Sequence, residues 1–395
     1  MTSSLQGYLD CCATTPAAAE VAAAMARVQD EAWANPSSLH GYGLAAAEQL
    51  ERSRQELADL LGAGSHRIVF TSGGSEAIHL AVLGLARQQR DQGLPPGRLV
   101  ISAVEHPASE AAAEQLRQQG WQLARIPVDR LGAVDLNRLE ALLRPPTRLV
   151  SLIWGQSEVG TIQPIEAIGR LCREAGVPLH LDAVQVVGQR LIDLEALPVD
   201  LLSLAAHKLQ GPRGIGALLL RSELKIQPCI GGGGQEGGLR AGTEPVALAA
   251  GMVAAVDLTR QRQRHWGAEQ PLALLRTLLL ERLLALPGLR LSGPDPRQHD
   301  HPERLPHHLS LLVSDRNGEP VSGRRLVQSL WREGFAVSSG SACSSGRERP
   351  SAILQAMGYS SAEAGSGLRL SLGPWHDDSL LERFPPALER VLAGL

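Results

Sequence analysis

Residues 201–221 read LLSLAAHKLQGPRGIGALLLR. Two aliphatic runs flank a histidine, a lysine and a glycine/proline turn. Short apolar runs bounded by such turns predict buried strands, with Lys208 at the end of the first. A lysine at a turn is, by itself, a solvated surface charge. Upstream, LDAVQ at 181–185 places Asp182 at the C-terminal end of another apolar strand. Open parallel sheets bind ligands at that edge, although a lone carboxylate there also serves as a helix N-cap.

Working outward, further runs predict strands: IVF at 68–70, LVIS at 99–102, LVSLI at 149–153 and LHLD at 179–182. Helix-like segments at 75–89 and 165–174 separate some of them. Strands alternating with helices predict an α/β fold, with right-handed crossovers and a mostly parallel sheet covered on both faces. Beyond about residue 251 the pattern changes to a Leu/Arg-rich helical stretch reaching about residue 286. A Pro/His-rich loop at 294–308 follows, then shorter strands and helices. The expected division is a large α/β domain at 15–255 and a small α+β domain formed by 1–14 and 256–395.

Composition narrows the partners. The chain has 395 residues, is 44% hydrophobic and carries a formal net charge of −3, so no basic surface calls for nucleic acid or an anionic membrane. MTSSLQGYLD lacks a basic start followed by an apolar run, so no secretory signal is expected. The apolar run at 246–256 is too short to span a bilayer. A cytoplasmic protein is the expectation. The five cysteines are odd in number and form no Cys-x-x-Cys pair, which argues against a disulfide framework or a zinc site. Cys11 and Cys12 read as a turn near the mouth of a site, and Cys172 as core. His299, His301, His307 and His308 crowd the polar loop, and no metal is assigned to them. Cys343 stands out, because SSGSACSSG at 338–346 holds a thiol among small residues that can hardly bury it.

An aspartate and a lysine from successive strand ends suit a pyridoxal phosphate site. The lysine joins the cofactor covalently, and the carboxylate keeps the ring nitrogen protonated, so that the ring can accept electrons. FTSGGSEA at 70–77 ends a strand with two glycines and opens a helix, where backbone N–H groups and the helix dipole favour a phosphate at Gly74 and Ser75. His106, in VEHPA beyond the next strand, can stack on the ring.

Strings in one order carry a resemblance: YLDCCATTP, NPSSLHGYG, IVFTSGGSEA, VEHPA, SEVGTIQPI, LDAVQVVG, HKLQGPRGIGAL, GGGGQEGGLRAGTEPV, SSGSAC and LRLSLG. Together they resemble the pyridoxal phosphate-dependent cysteine desulfurases of the NifS/IscS type, within the class V aminotransferases. The resemblance implies the fold type I architecture of pyridoxal phosphate-dependent transferases and a role for each matching position. Lys208 would carry the cofactor, His207 neighbour its phosphate, Asp182 pair with the ring nitrogen and Gln185 with the phenolic oxygen. His106 would stack on the ring, while Thr243 would reach the phosphate in the other subunit of a homodimer. Arg369 would hold the substrate carboxylate, with Ser157 and Asn35 nearby. Cys343 would attack the sulfur of L-cysteine, release alanine and carry a persulfide to an acceptor or scaffold protein, for iron–sulfur assembly or thio-modification.

The chain departs from that pattern at Ser157, within Gln156-Ser157-Glu158 where Asn-Asn-Glu is usual, at Ala205 in place of a phosphate-binding serine, and at Gly237 in place of an arginine. Two other readings stay open. One is an aminotransferase or lyase acting on another amino acid, against which the full-length Cys343 segment argues. The other is a low-turnover sulfur-carrier subunit, which only Ser157 and Ala205 suggest.

Overall fold

The computed structural model describes residues 5–267, 270–340 and 349–394. Two helices, α1 (Ala19–Glu31) and α2 (Gly41–Leu61), precede the first strand, β1 (His66–Thr71). Helices and strands then alternate through α3 (Gly74–Asp91), β2 (Arg98–Ser102), α4 (Pro107–Gln118), β3 (Gln122–Ile126), α5 (Leu136–Leu142), β4 (Thr147–Ile153), α6 (Ile165–Glu174) and β5 (Leu179–Asp182). Two adjacent strands, β6 (Leu201–Ala205) and β7 (Gly216–Arg221), follow. They are the two aliphatic runs around Lys208.

These strands form one seven-stranded sheet in the order β1-β7-β6-β5-β4-β2-β3. Strand β7 runs antiparallel to both neighbours, and the remaining pairs are parallel. The expected mostly parallel α/β sheet is therefore present. Strands β5 and β6 are buried at every position, as strands covered on both faces are, and the polar residues inside them, His180 and Ser203, satisfy each other at 2.8 Å. In α6, Ile165, Ile168 and Cys172 are buried along one face, at the spacing of an amphipathic helix. Cys172 is a core residue, as expected.

The Leu/Arg-rich stretch is two helices, not one. Helix α7 (Val246–Trp266) ends at Gly267, whose φ is +55°, and α8 (Pro271–Leu284) begins at a proline. A first-turn proline loses no helical hydrogen bond. Among the described residues no helix is long and apolar enough to cross a membrane. The chain continues through β8 (Leu289–Leu291), β9 (His308–Val313), α9 (Gly323–Arg332), α10 (Ala352–Ala356), α11 (Ser361–Ala364), β10 (Gly367–Ser371) and α12 (Ser379–Ala393). An antiparallel three-stranded sheet, β10-β9-β8, packs with its own core, which includes Leu279, Leu311, Leu330, Phe335 and Phe384. Leu9 belongs to that core, because Tyr8 bridges to Ala336 and Asp10 to Ser371.

One expectation fails here. The Pro/His-rich segment is not an exposed loop throughout. Arg304, His307 and His308 are buried, and His308 opens β9.

Candidate active site

The C-terminal edge of the large sheet gathers the residues singled out from the sequence. Asp182 ends β5, beside Ile153 of β4 and Ser203 of β6. Lys208 closes a short turn directly after β6. His106 caps α4 just beyond β2, its Nδ1 accepting from Ala108 N–H at 3.1 Å. Beyond β1, Gly73 caps α3, and no side chain caps the orphan N–H groups of that first turn.

Asp182 is 4% exposed and accepts a 3.0 Å hydrogen bond from the Val184 N–H. Burial raises its pKa, against the pull of the His106 and Lys208 charges. Burial also lowers the pKa of His106, which Asp182 opposes and Lys208 reinforces. Asp182 and His106 thus act on each other's charge in a poorly solvated site, beside the Lys208 ammonium. The Lys208 ammonium donates to the carbonyls of Cys12 at 2.7 Å and Ala13 at 2.8 Å. The Gln185 amide donates to the same Cys12 carbonyl at 2.9 Å. His207 sits 3.1 Å from the Thr14 hydroxyl, and burial, with Lys208 and Arg213 nearby, pushes its pKa down to about 4.

Arg369, on β10, approaches from the small sheet. It is 6% exposed, donates through Nη2 to Asp10 at 2.7 Å and through Nη1 to the Ser157 carbonyl at 3.1 Å, and its Nε has no partner among the described residues. Ser157 therefore meets Arg369 through its main chain, whatever its side chain. The side chain of Gln156 is turned elsewhere, receiving the N–H groups of Glu158 and Val159 and donating to the Val104 carbonyl. Asn35 and Thr243 are exposed and line a groove of about 990 Å³ with Trp33, Arg213 and Pro245. Cys343 lies outside the described residues.

Several functional neighbours went unassigned in the sequence, although they lie within its motif strings. Glu105 is buried beside this edge, accepts from the Ser102 hydroxyl and the Ile153 N–H, and has its pKa pushed up to about 8 by burial. Glu76, in the first turn of α3, is paired with Arg240 at 3.0 Å. Cys11 and Cys12 form the expected turn, but they are buried in its wall rather than open at a mouth. Cys12 Sγ lies 3.4 Å from His307 Nε2, and burial raises the pKa of both thiols. Among the described residues, no cluster of three His, Cys, Asp or Glu side chains could hold a metal.

The residues fit pyridoxal phosphate. The uncapped start of α3 offers N–H groups to a phosphate. A Cβ on Gly216 would lie 2.6 Å from the Gly73 main chain, so this turn packs against backbone that only glycine admits. Across the edge, Asp182 is a buried carboxylate of the kind that can hold a protonated ring nitrogen.

The class-V aminotransferase family model matches residues 7–384. The chain is 37% identical to the cysteine desulfurase IscS 1 of Archaeoglobus fulgidus, over 97% of each chain. It is 39% identical to a cysteine desulfurase of Cereibacter sphaeroides, over 98% of this chain and 96% of the relative. Among solved structures, a NifS-like protein superposes with a TM-score of 0.88 at 31% identity, covering 99% of this chain and 100% of the other. The structure of SspA in complex with cysteine superposes at 0.79, also at 31% identity, over 94% and 100%.

Proposed function

The chain belongs to the cysteine desulfurases of the class-V aminotransferase family, pyridoxal phosphate-dependent enzymes, and we propose that it converts L-cysteine to L-alanine while Cys343 takes the sulfur as a persulfide. The observation that carries this reading is the meeting of Lys208, Asp182, His106 and Gln185 on one sheet edge, with Arg369 reaching toward it from the other sheet.

Bound pyridoxal phosphate would supply an electron sink at the substrate α-carbon. Lys208 would hold the cofactor, and its amine would move protons on the substrate. Asp182 would pair with the ring nitrogen, His106 would cover the ring face, and Gln185 would bond the phenolic oxygen. Gly74, Ser75 and His207 would hold the phosphate. Arg369 would bind the substrate carboxylate beside Ser157, and Asn35 would serve substrate binding from the groove it lines. The Cys343 thiolate then attacks the substrate sulfur. The carbon–sulfur bond breaks, its electron pair returns to the substrate carbon, a proton completes alanine, and the sulfur remains on Cys343 as a persulfide.

Thr243 joins the phosphate of a second copy in a homodimer. Supporting this, Trp33 stands exposed on the groove that Thr243 lines, with the exposed Tyr42 ring 5.8 Å from it, an apolar surface of the sort that oligomers cover. The domain division is the one expected at 15–255 against 1–14 and 256–395, supported by the separate core around Leu9 and the small sheet. The enzyme works in the cytoplasm, passing sulfur to an acceptor or scaffold protein for iron–sulfur assembly or thio-modification. Incubation of the purified holoenzyme with L-cysteine tests the reaction. Alanine and reducible sulfur should form in equal amounts, whereas a keto acid in their place would establish an aminotransferase.

A further inference from the structure

The turn that opens α3 is clamped on both sides by the glycine-rich stretch at 231–243. Before the turn, the buried Glu236 carboxylate accepts from the Phe70 N–H at 2.8 Å and from Arg54 at 2.8 and 3.1 Å. Glu236 does so from left-handed backbone, with φ +51°, which a side chain adopts at a cost. A buried ion pair adds little stability by itself, so what this contact contributes is the position of the stretch. After the turn, Arg240 Nε meets Glu76 Oε1 at 3.0 Å, both side chains being largely buried. The other oxygen of Glu76 accepts from the Ser72 N–H at 2.7 Å. Burial raises the pKa of Glu76, but the bonds from Arg240 and Ser72 outweigh it and hold the carboxyl below its usual range. An ionised carboxylate therefore lies in the turn whose first helical N–H groups no described side chain caps. A carboxylate favours a helix N-terminus as a phosphate does, so uncancelled it would oppose a phosphate there.

We infer that Arg240 is a positioning residue for the cofactor phosphate: it holds Glu76 on the Ser72 N–H and cancels its charge, so that the first turn of α3 presents its N–H groups to an anion. The inference rests on the reading that this turn receives the phosphate of pyridoxal phosphate. Glu236 fixes where the glycine-rich stretch lies, and Arg240 sets the charge at the turn. The ring and aldehyde of the cofactor would meet Lys208, Asp182 and His106 at the other strand ends. Arg240 therefore acts on the phosphate end alone.

The test compares pyridoxal phosphate with pyridoxal, which lacks the phosphate, in absorption titrations of the full chain freed of cofactor. The variants are Arg240→Ala, Glu76→Gln and the two combined. A charge-assisted hydrogen bond is worth about tenfold or more in affinity. Arg240→Ala should therefore bind pyridoxal phosphate at least about tenfold more weakly than the parent, and pyridoxal within about threefold of it. Glutamine at 76 keeps an acceptor for the Ser72 N–H and removes the charge. Glu76→Gln alone should bind pyridoxal phosphate at least as tightly as the parent, and adding it to Arg240→Ala should restore the affinity to within about threefold. A residue that only braced the fold would weaken both ligands alike. The inference is overturned if Arg240→Ala weakens both ligands equally or neither, if Glu76→Gln weakens pyridoxal phosphate by about tenfold, or if the combined variant stays as weak as Arg240→Ala. A parent that binds pyridoxal as tightly as pyridoxal phosphate would instead refute the assignment of the phosphate to this turn.

Discussion

Replacing Arg369 by lysine isolates what the guanidinium contributes. The side chain is almost wholly buried and engages Asp10 at 2.7 Å and the Ser157 carbonyl at 3.1 Å, leaving Nε without a partner among the described residues. A guanidinium presents donors in a rigid fork that suits a carboxylate held at two points. Nε and a neighbouring Nη proton are therefore the pair that a substrate carboxylate would take. Lysine keeps the charge and can stay with Asp10, but it offers a single point in place of the fork. The loss is about one charge-assisted hydrogen bond, roughly 1.5–3 kcal/mol, or about ten- to a hundred-and-sixtyfold in affinity at 1.36 kcal/mol per decade.

The affinity is best read in a Cys343→Ser background, where turnover does not deplete the ligand, by following the cofactor band as L-cysteine and then L-alanine are added. Both ligands share the carboxylate and differ in the thiol. Arg369→Lys should weaken both to a similar extent. If both affinities stay within about threefold of the parent, Arg369 does not hold the substrate. If L-cysteine weakens and L-alanine does not, the arginine serves the sulfur end and the reasoning from its free donor is wrong.

Cys343→Ser alone should leave the absorption change with L-cysteine intact while abolishing alanine and persulfide formation; alanine at the parent rate would move the nucleophile elsewhere. Ala205 is buried at the end of β6, with its Cβ 3.5 Å from one built on Gly74, so Ala205→Ser places a hydroxyl beside the phosphate end. If that hydroxyl adds about 1.5–3 kcal/mol of hydrogen bonding, cofactor loss on dialysis should slow by about tenfold or more; an unchanged rate refutes it. Ser157→Ala should leave turnover within about twofold, because the contact with Arg369 is main-chain; a larger loss would mean that the hydroxyl takes part. Glu105 has its pKa raised to about 8 by burial. The folded state therefore keeps a proton that the unfolded chain releases above its ordinary carboxyl pKa, and stability falls as pH rises from about 4.5 towards 8. Urea midpoints measured across that range should decline in the parent and flatten in Glu105→Gln; parallel curves would show that Glu105 is not the cause.

The parts legible in the sequence are those whose physics is local. Strands β4 to β7 read as strands because burial on both faces makes them mostly aliphatic, and Lys208 and Asp182 stand out because each follows or ends such a run. The break between α7 and α8 is obscured because leucine and arginine continue on both sides of Gly267 and Pro271, so composition hides what a glycine at positive φ and a helix-starting proline decide. His307 and His308 misled for a different reason. Their neighbours are polar and proline-rich, yet β9 carries His308 into the sheet, and His307 packs against Cys12 from the far end of the chain. Contacts of this kind join segments hundreds of residues apart, and no period or spacing encodes them. The same holds within the site. Gln185 and Lys208 converge on the Cys12 carbonyl, and Arg369 is held by Asp10 and by the Ser157 main chain. Side-chain identity at 157 looked decisive because a sequence displays side chains only. A backbone carbonyl is present at every position, so its use in a site depends on where the fold turns the chain, and at Ser157 that turn is set by Gln156, itself a departure from the family pattern.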